Sequence, residues 1–289
     1  MICGCCSGPA RKAFTAFDLS GESPGTEPFH YARCERCGTF ELANVPSDLS
    51  AYYGPGYYDQ MDQSLTAAQA ELSRGQLATF APFVSKGRVI DIGPGMGAFL
   101  KQASGAFASR AAVERDQRCA TLLRADGVEV VETDQPVAGI ANLAPADAVT
   151  MFHVIEHVPN PMELVDAAAA KLLPGGVLTI ATPNPQSLSF RVCGRWWRHV
   201  DAPRHLYLLP LDVIKARAER HGLRLLTVTT TDPVGLLCNS VTCGPWARRV
   251  TRRLGGRAAY ILREGTQRTL GAVERRGMLG SAYTAVFRR

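Results

Sequence analysis

Residues Val89-Ile90-Asp91-Ile92-Gly93-Pro94-Gly95-Met96-Gly97 form an apolar run that breaks into three glycines and leads directly into a helix-compatible segment at 98–107. Glycines at such a junction turn the chain sharply and let a ligand approach the backbone, while the helix start points N–H groups at it. Few folds use this turn, so it constrains the rest of the chain. Beyond it, short apolar runs recur: Ala111-Ala112-Val113, Val128-Glu129-Val130-Val131, Ala148-Val149-Thr150-Met151-Phe152 and Val177-Leu178-Thr179-Ile180. Helical segments at 117–125 and 162–172 separate them, the second stopped by Pro174-Gly175-Gly176. Strands alternating with helices predict an α/β fold, a mostly parallel sheet with helices on both faces. A helix at 63–83 precedes this region, and a helix at 210–221, a strand at 223–230 and a last strand at 282–287 follow it.

The glycine spacing alone admits any nucleotide, including NAD, because Ala98 is a tolerated final position of a dinucleotide fingerprint. Two acids narrow the ligand. Asp91 ends the first strand, where a carboxylate orders the turn and attracts an ammonium. Glu114 ends the second, where an acid accepts both ribose hydroxyl protons, with Asp116 the weaker candidate.

In order along the chain come the 89–97 turn, Glu114, Phe152-His153-Val154-Ile155-Glu156-His157-Val158 with Asn160-Pro161, Leu173-Pro174-Gly175-Gly176, Thr182-Pro183-Asn184 and Pro203-Arg204-His205-Leu206. This series resembles the class I S-adenosylmethionine-dependent methyltransferases, in the small-molecule group that includes ubiquinone-pathway O-methyltransferases and sugar methyltransferases. The resemblance covers roughly residues 50–231. It implies a Rossmann-like fold with a mostly parallel seven-stranded sheet and an antiparallel last strand. It further implies that Asp91, Gly93, Gly95 and Gly97 line the methionine part of the cofactor, that Glu114 holds the ribose, and that Asp134 approaches the adenine amine. Phe152 and His153 would border the cofactor and the reacting centre. Tyr57 or Tyr58 would close over the cofactor carboxylate, unless both only pack.

Methyl transfer requires an oriented nucleophile and, for a hydroxyl, removal of its proton. A histidine suits that task, so His153 is the first candidate for general base and His157 the second; the competing reading has both merely capping and packing a helix start. The letters H-x-x-E-H also match an inverted zinc-protease motif. That reading is set aside because the segment lies inside an otherwise consistent series. Trp196-Trp197-Arg198-His199 and Pro203-Arg204-His205 mix aromatic faces with cations, which suits a lid over a polar ring. Trp197, Arg204 and His205 are the expected substrate contacts.

Of nine cysteines, Cys3 and Cys6 form one C-x-x-C pair and Cys34 and Cys37 another. Two such pairs wrap one structural zinc, although the 27 residues between Cys6 and Cys34 exceed a usual ribbon loop. Cys5 is a competing ligand. Residues 1–45 have too few apolar periodicities to bury a core unaided, and zinc would supply the missing energy. The expected organisation is a zinc-ribbon-like module at 1–48, a linker and helix at 49–84, a cofactor-binding core at 85–231 with a lid insertion at 183–209, and a helical segment with a last strand at 232–289. Zinc-ribbon-like modules before such domains are similar to those of enzymes acting on nucleotide-linked or polysaccharide sugars. The sequence lacks the long carboxy-terminal domain of the sugar C-methyltransferases, which favours O-methylation of a sugar or similar hydroxyl.

The chain carries a net charge of +6, much of it late in Arg248, Arg249, Arg252, Arg253 and Arg257. Such a cluster is compatible with a solvated face, with nucleic acid, or with peripheral contact to a membrane surface or lipid-linked substrate. An RNA-binding methyltransferase using this cluster and the zinc module is the alternative reading. It is disfavoured because basic and stacking aromatic residues are not interleaved. No window reaches the ~18 apolar residues of a membrane span and no leader pattern opens the chain, so a cytoplasmic enzyme with a small-molecule or glycan substrate is expected.

Overall fold

The computed structural model describes residues 1–18, 27–53, 67–230 and 277–289. Its strands are β1 (Ala10–Ala16), β2 (Phe29–Cys34), β3 (Phe40–Leu42), β4 (Arg88–Ile92), β5 (Ser109–Glu114), β6 (Glu129–Glu132), β7 (Ala146–Phe152), β8 (Leu172–Pro183), β9 (Tyr207–Leu208), β10 (Arg224–Thr229) and β11 (Ala282–Arg288). Its helices are α1 (Ala67–Phe80), α2 (Ala98–Ala103), α3 (Gln117–Ala125), α4 (Pro136–Ala141), α5 (Pro161–Ala170), α6 (Leu188–Cys193) and α7 (Leu211–Arg220). Two compact units result: Met1–Gly54 with Pro183–Leu211 and Thr229–Tyr283, and Pro55–Thr182 with Asp212–Val228 and Thr284–Arg289.

The second unit carries a seven-stranded sheet in the order β10-β11-β8-β7-β4-β5-β6. The pairs β4 with β5, β4 with β7, β5 with β6 and β7 with β8 are all parallel. The chain steps outward from β4 to β6, then returns to the other side of β4 as β7. Strand order therefore reverses at β4, the place where open α/β sheets bind ligands beyond their carboxyl ends. Val89, Ile90, Ala111, Ala112, Ala148 and Val149 have no exposed surface, as strands covered on both faces require. Phe80, Phe99, Leu100, Phe107 and Leu123 pack with Val89, Ala112 and Ala148 into one core. Each such side chain contributes about 1.5–3 kcal/mol by leaving water.

Helix α3 follows the expected span because Asp116 caps it, its carboxylate accepting the N–H groups of Arg118 and Cys119, each at 3.0 Å. Helix α2 stops at Ala103, short of the expected 107. Helix α5 ends at Ala170, where Lys171 leaves the helix and donates to the carbonyls of Ala141 and Leu143, both at 2.7 Å. Leu172 already belongs to β8, and Pro174-Gly175-Gly176 lies within that strand, where the register with β7 shifts between Ala146 and Ala148. Helix α4, only six residues long, escaped the sequence pattern because it is too short to display a period.

The first unit corrects the expected organisation. Residues 1–48 and the expected lid at 183–209 belong to one unit, in which β9 is the fourth strand of an antiparallel sheet ordered β1-β2-β3-β9. The core that residues 1–45 lack alone is supplied by the distant segment. Phe190 of α6 lies 6.1 Å from Phe14 and 5.2 Å from Phe40, ring centre to ring centre, and 5.2 Å from Trp197. The hydroxyl of Tyr31 donates to the His205 carbonyl at 2.6 Å.

The helix expected at 63–66, the tyrosines Tyr57 and Tyr58, the helical segment at 232–275, the arginine cluster, Cys238 and Cys243 lie outside the described residues. No helix among the described residues is long and apolar enough to cross a membrane.

Candidate active site

Three loops meet at the reversal point: the glycine turn after β4, the Glu114 to Asp116 corner after β5, and the turn after β7. The first turn needs glycine for two different reasons. Gly93 has φ +67°, and a Cβ there would stand 2.7 Å from the Val154 side chain. Gly97, at φ +77°, begins α2, and a Cβ there would meet Leu123 of α3 at 2.5 Å. The last glycine thus serves helix packing, and the first brings the β7 turn against the β4 turn.

Glu114 braces the same turn. Its carboxylate accepts the N–H of Gly95 at 3.0 Å on one oxygen and those of Arg115 and Asp116 at 2.8 Å on the other. A carboxylate offers about four lone-pair sites, so the oxygen facing Gly95 keeps capacity for a hydroxyl donor. Burial pushes the Glu114 carboxyl up, against the pull of these three N–H groups.

Asp91 is 2% exposed. Burial pushes its carboxyl up to about 8, opposed by the Thr150 hydroxyl, which donates at 2.7 Å, and reinforced by the charge of Glu114. A buried acid in that position favours a cationic ligand, because an ammonium beside it would restore the carboxylate form. The donor set therefore fits a cofactor with an ammonium at one end and ribose hydroxyls further along.

After β7 the chain turns at His153, which has φ +57° and donates its N–H to the Ala181 carbonyl at 2.9 Å. Residues Ile155–His157 then form a single 3₁₀ turn. His153 Nδ1 lies 3.4 Å from a carboxylate oxygen of Glu156, whose side chain is fully buried, while the imidazole is 18% exposed. The other Glu156 oxygen accepts the Thr182 hydroxyl at 2.9 Å. His157 is half-buried, and the Phe152 ring packs tilted against that of Phe99, 5.0 Å between ring centres. Asp134 is exposed after β6. The sequence reading overlooked Glu156 as a working group; the signal was a lone acid between Ile155 and Val158, three residues after the histidine.

The expected substrate contacts lie in the first unit. Trp197 has no exposed surface and packs on Phe190 and His199, so it acts as core there. Arg204 is 2% exposed. Its guanidinium donates to both Asp201 oxygens at 3.0 and 2.6 Å, to Asp18 at 3.2 Å and to the Tyr52 carbonyl at 3.0 Å. That side chain is held as an internal clamp. His205, also buried, bonds the His199 carbonyl through Nδ1 at 2.8 Å.

The four Sγ atoms of Cys3, Cys6, Cys34 and Cys37 lie within 4.8 Å of one another. Cys3 and Cys37 are 3.7 Å apart, Cys6 and Cys34 3.4 Å. Thiolates about 2.3 Å from zinc in a tetrahedron stand about 3.8 Å apart, so the quartet fits that ion, without Cys5. Gly8 backs it: a Cβ there would lie 3.2 Å from the sulfurs of Cys6 and Cys34.

The methyltransferase-domain family matches residues 65–228, more than half of the 289 residues. A ubiquinone biosynthesis O-methyltransferase of Xanthomonas campestris pv. campestris is 29% identical over 172 residues, 56% of this chain and 69% of its own length. Its counterpart from Xanthomonas oryzae pv. oryzae is 31% identical over the same shares of both chains. In fold, an S-adenosylmethionine-dependent methyltransferase from Archaeoglobus fulgidus is similar, with a TM-score of 0.53 at 19% identity over 81% of this chain and 100% of that one.

Proposed function

This chain belongs to the methyltransferase-domain family and is an S-adenosylmethionine-dependent methyltransferase, and from that premise we propose that it methylates a hydroxyl oxygen of a small molecule or glycan, such as a sugar. The carrying observation is His153, partly exposed at the carboxyl end of β7 beside the glycine turn. A hydroxyl is a poor nucleophile until its proton is taken, and imidazole is suited to take it near neutral pH.

When bound, the cofactor supplies a methyl group on a sulfonium that leaves as a neutral thioether. Asp91 attracts its ammonium, Glu114 takes its ribose hydroxyls, and the turn from Gly93 to Gly97 admits the methionine portion. Asp134 would hold the adenine amine, and Phe152 would border the reacting centre. The similarity to ubiquinone biosynthesis O-methyltransferases supports an oxygen acceptor. Incubation with methyl-labelled cofactor and a panel of sugars, phenols and amines, read by mass spectrometry, tests this. A labelled ether is the expected product; label found only on nitrogen or carbon would overturn the reading.

The second part of the proposal is that Cys3, Cys6, Cys34 and Cys37 hold a structural zinc. Metal analysis of purified protein should find about one zinc per chain, and less than half that amount in the absence of chelators would reject it.

A further inference from the structure

Resting on His153 as the base, we infer that Glu156 is a positioning residue for methyl transfer, holding the imidazole so that Nδ1 carries a proton toward Glu156 and Nε2, buried in this structure, is left to take the acceptor proton. The two carboxylate oxygens have separate tasks. One accepts the Thr182 hydroxyl at 2.9 Å and is fixed from β8; the other stands 3.4 Å from His153 Nδ1. Glu156 has no exposed surface. Desolvation disfavours a carboxylate so placed unless it is compensated, and an imidazole that becomes cationic during turnover supplies compensation when it is needed.

The backbone supports the arrangement. A non-glycine residue in the left-handed region is strained and persists where its surroundings enforce it. His153 is held at φ +57° by its bond to Ala181, and the next residue, Val154, is in contact range of Gly93. That backbone conformation places the histidine on the turn three residues before Glu156, with Nδ1 3.4 Å from its carboxylate. In the reaction the acceptor O–H breaks as the oxygen forms its bond to the methyl carbon. The proton moves to Nε2, and the electron pair of the broken carbon–sulfur bond stays on sulfur. Glu156 balances the resulting imidazolium, which returns the proton to water after the product leaves.

The other titratable groups at this end of the sheet are Asp91, Glu114, Asp116 and His157. An imidazole nitrogen of His157 lies within 4.8 Å of the Glu156 carboxylate and also feels its loss, so the comparison in the His153→Ala background is what isolates the pair. The test compares full-length wild type, Glu156→Gln, Glu156→Asp, His153→Ala and the His153→Ala/Glu156→Gln double variant. Glu156→Gln should bind cofactor within about twofold of wild type, lose about a hundredfold in kcat, and shift the acid limb of its rate profile about one pH unit lower. Glu156→Asp should recover part of the rate. In the His153→Ala background Glu156→Gln should cost less than twofold. If Glu156→Gln fails to fold, Thr182→Val, which frees the carboxylate that holds the imidazole, carries the test, with a rate loss that disappears in the His153→Ala background.

An unmoved acid limb, or an equal loss in the His153→Ala background, overturns the inference while leaving the base intact. A fully active His153→Ala variant overturns the base itself. Activity that requires added magnesium in wild type, with the requirement abolished in Glu156→Gln, overturns the inference in favour of a metal role.

Discussion

Asp91 and His153 each carry a local cost of folding, one in ionisation and one in backbone conformation. The Asp91 carboxyl is pushed up to about 8 chiefly by burial, against about 3.9 for an aspartate in an unfolded chain. The folded state therefore binds the proton more tightly. Its contribution to stability is full below about pH 4 and is lost as the pH rises toward 8. Cofactor-free Asp91→Asn should lack this loss, so its melting temperature relative to wild type should rise between pH 4 and 8. Cofactor binding near pH 7 should release a proton, read by calorimetry in buffers of different ionisation enthalpy; binding with no proton exchange would contradict the assignment. For His153, replacement by glycine removes the left-handed strain and should raise stability by about 1 kcal/mol while abolishing most activity. A loss of stability would show that the side chain, not the backbone, dominates there. Glu156 was not legible as a working group in sequence, because a buried acid and a solvated one are the same letter until its neighbours are known.

Elements whose ends carry their own chemistry were legible. Helix α3 begins at a capping aspartate, and β4, β5 and β7 read as short apolar runs because both faces are covered. What local pattern could not supply were α4, too short to show a period, and β9, whose two residues pair with β3 from far along the chain. Helix α7 illustrates such support. Asp166 of α5 accepts from the Arg217 guanidinium and from His221 at 2.7 Å. These partners hold its carboxyl below the usual range despite burial, which alone would raise it. Its stabilisation is present above about pH 4 and is lost as pH falls through the lowered value. Asp166→Asn should melt lower than wild type at pH 7 by a few degrees, consistent with about 1 kcal/mol, and the gap should close in acid. A gap that is unchanged at low pH would place the effect elsewhere.

At the scale of the molecule, the mostly parallel sheet was readable from strand–helix alternation and the ligand turn from its glycines, whereas the order of the strands was not. The grouping of residues 1–48 with 183–209 was not, since its aromatic core joins Phe14, Tyr31 and Phe40 to Phe190 and Trp197 across most of the chain. Cys34→Ser should therefore disturb the near-ultraviolet signal of these aromatics if the thiolates hold a zinc; an unchanged signal with metal absent would show the sheet sufficient alone. The central claim is that the reversal point at β4 binds S-adenosylmethionine. Calorimetric titration tests it most directly: wild type should bind one equivalent, and Glu114→Gln, equally folded, should bind at least about tenfold more weakly, as loss of a charged hydrogen-bond acceptor implies. No heat of binding, or equal affinity in both, would contradict it.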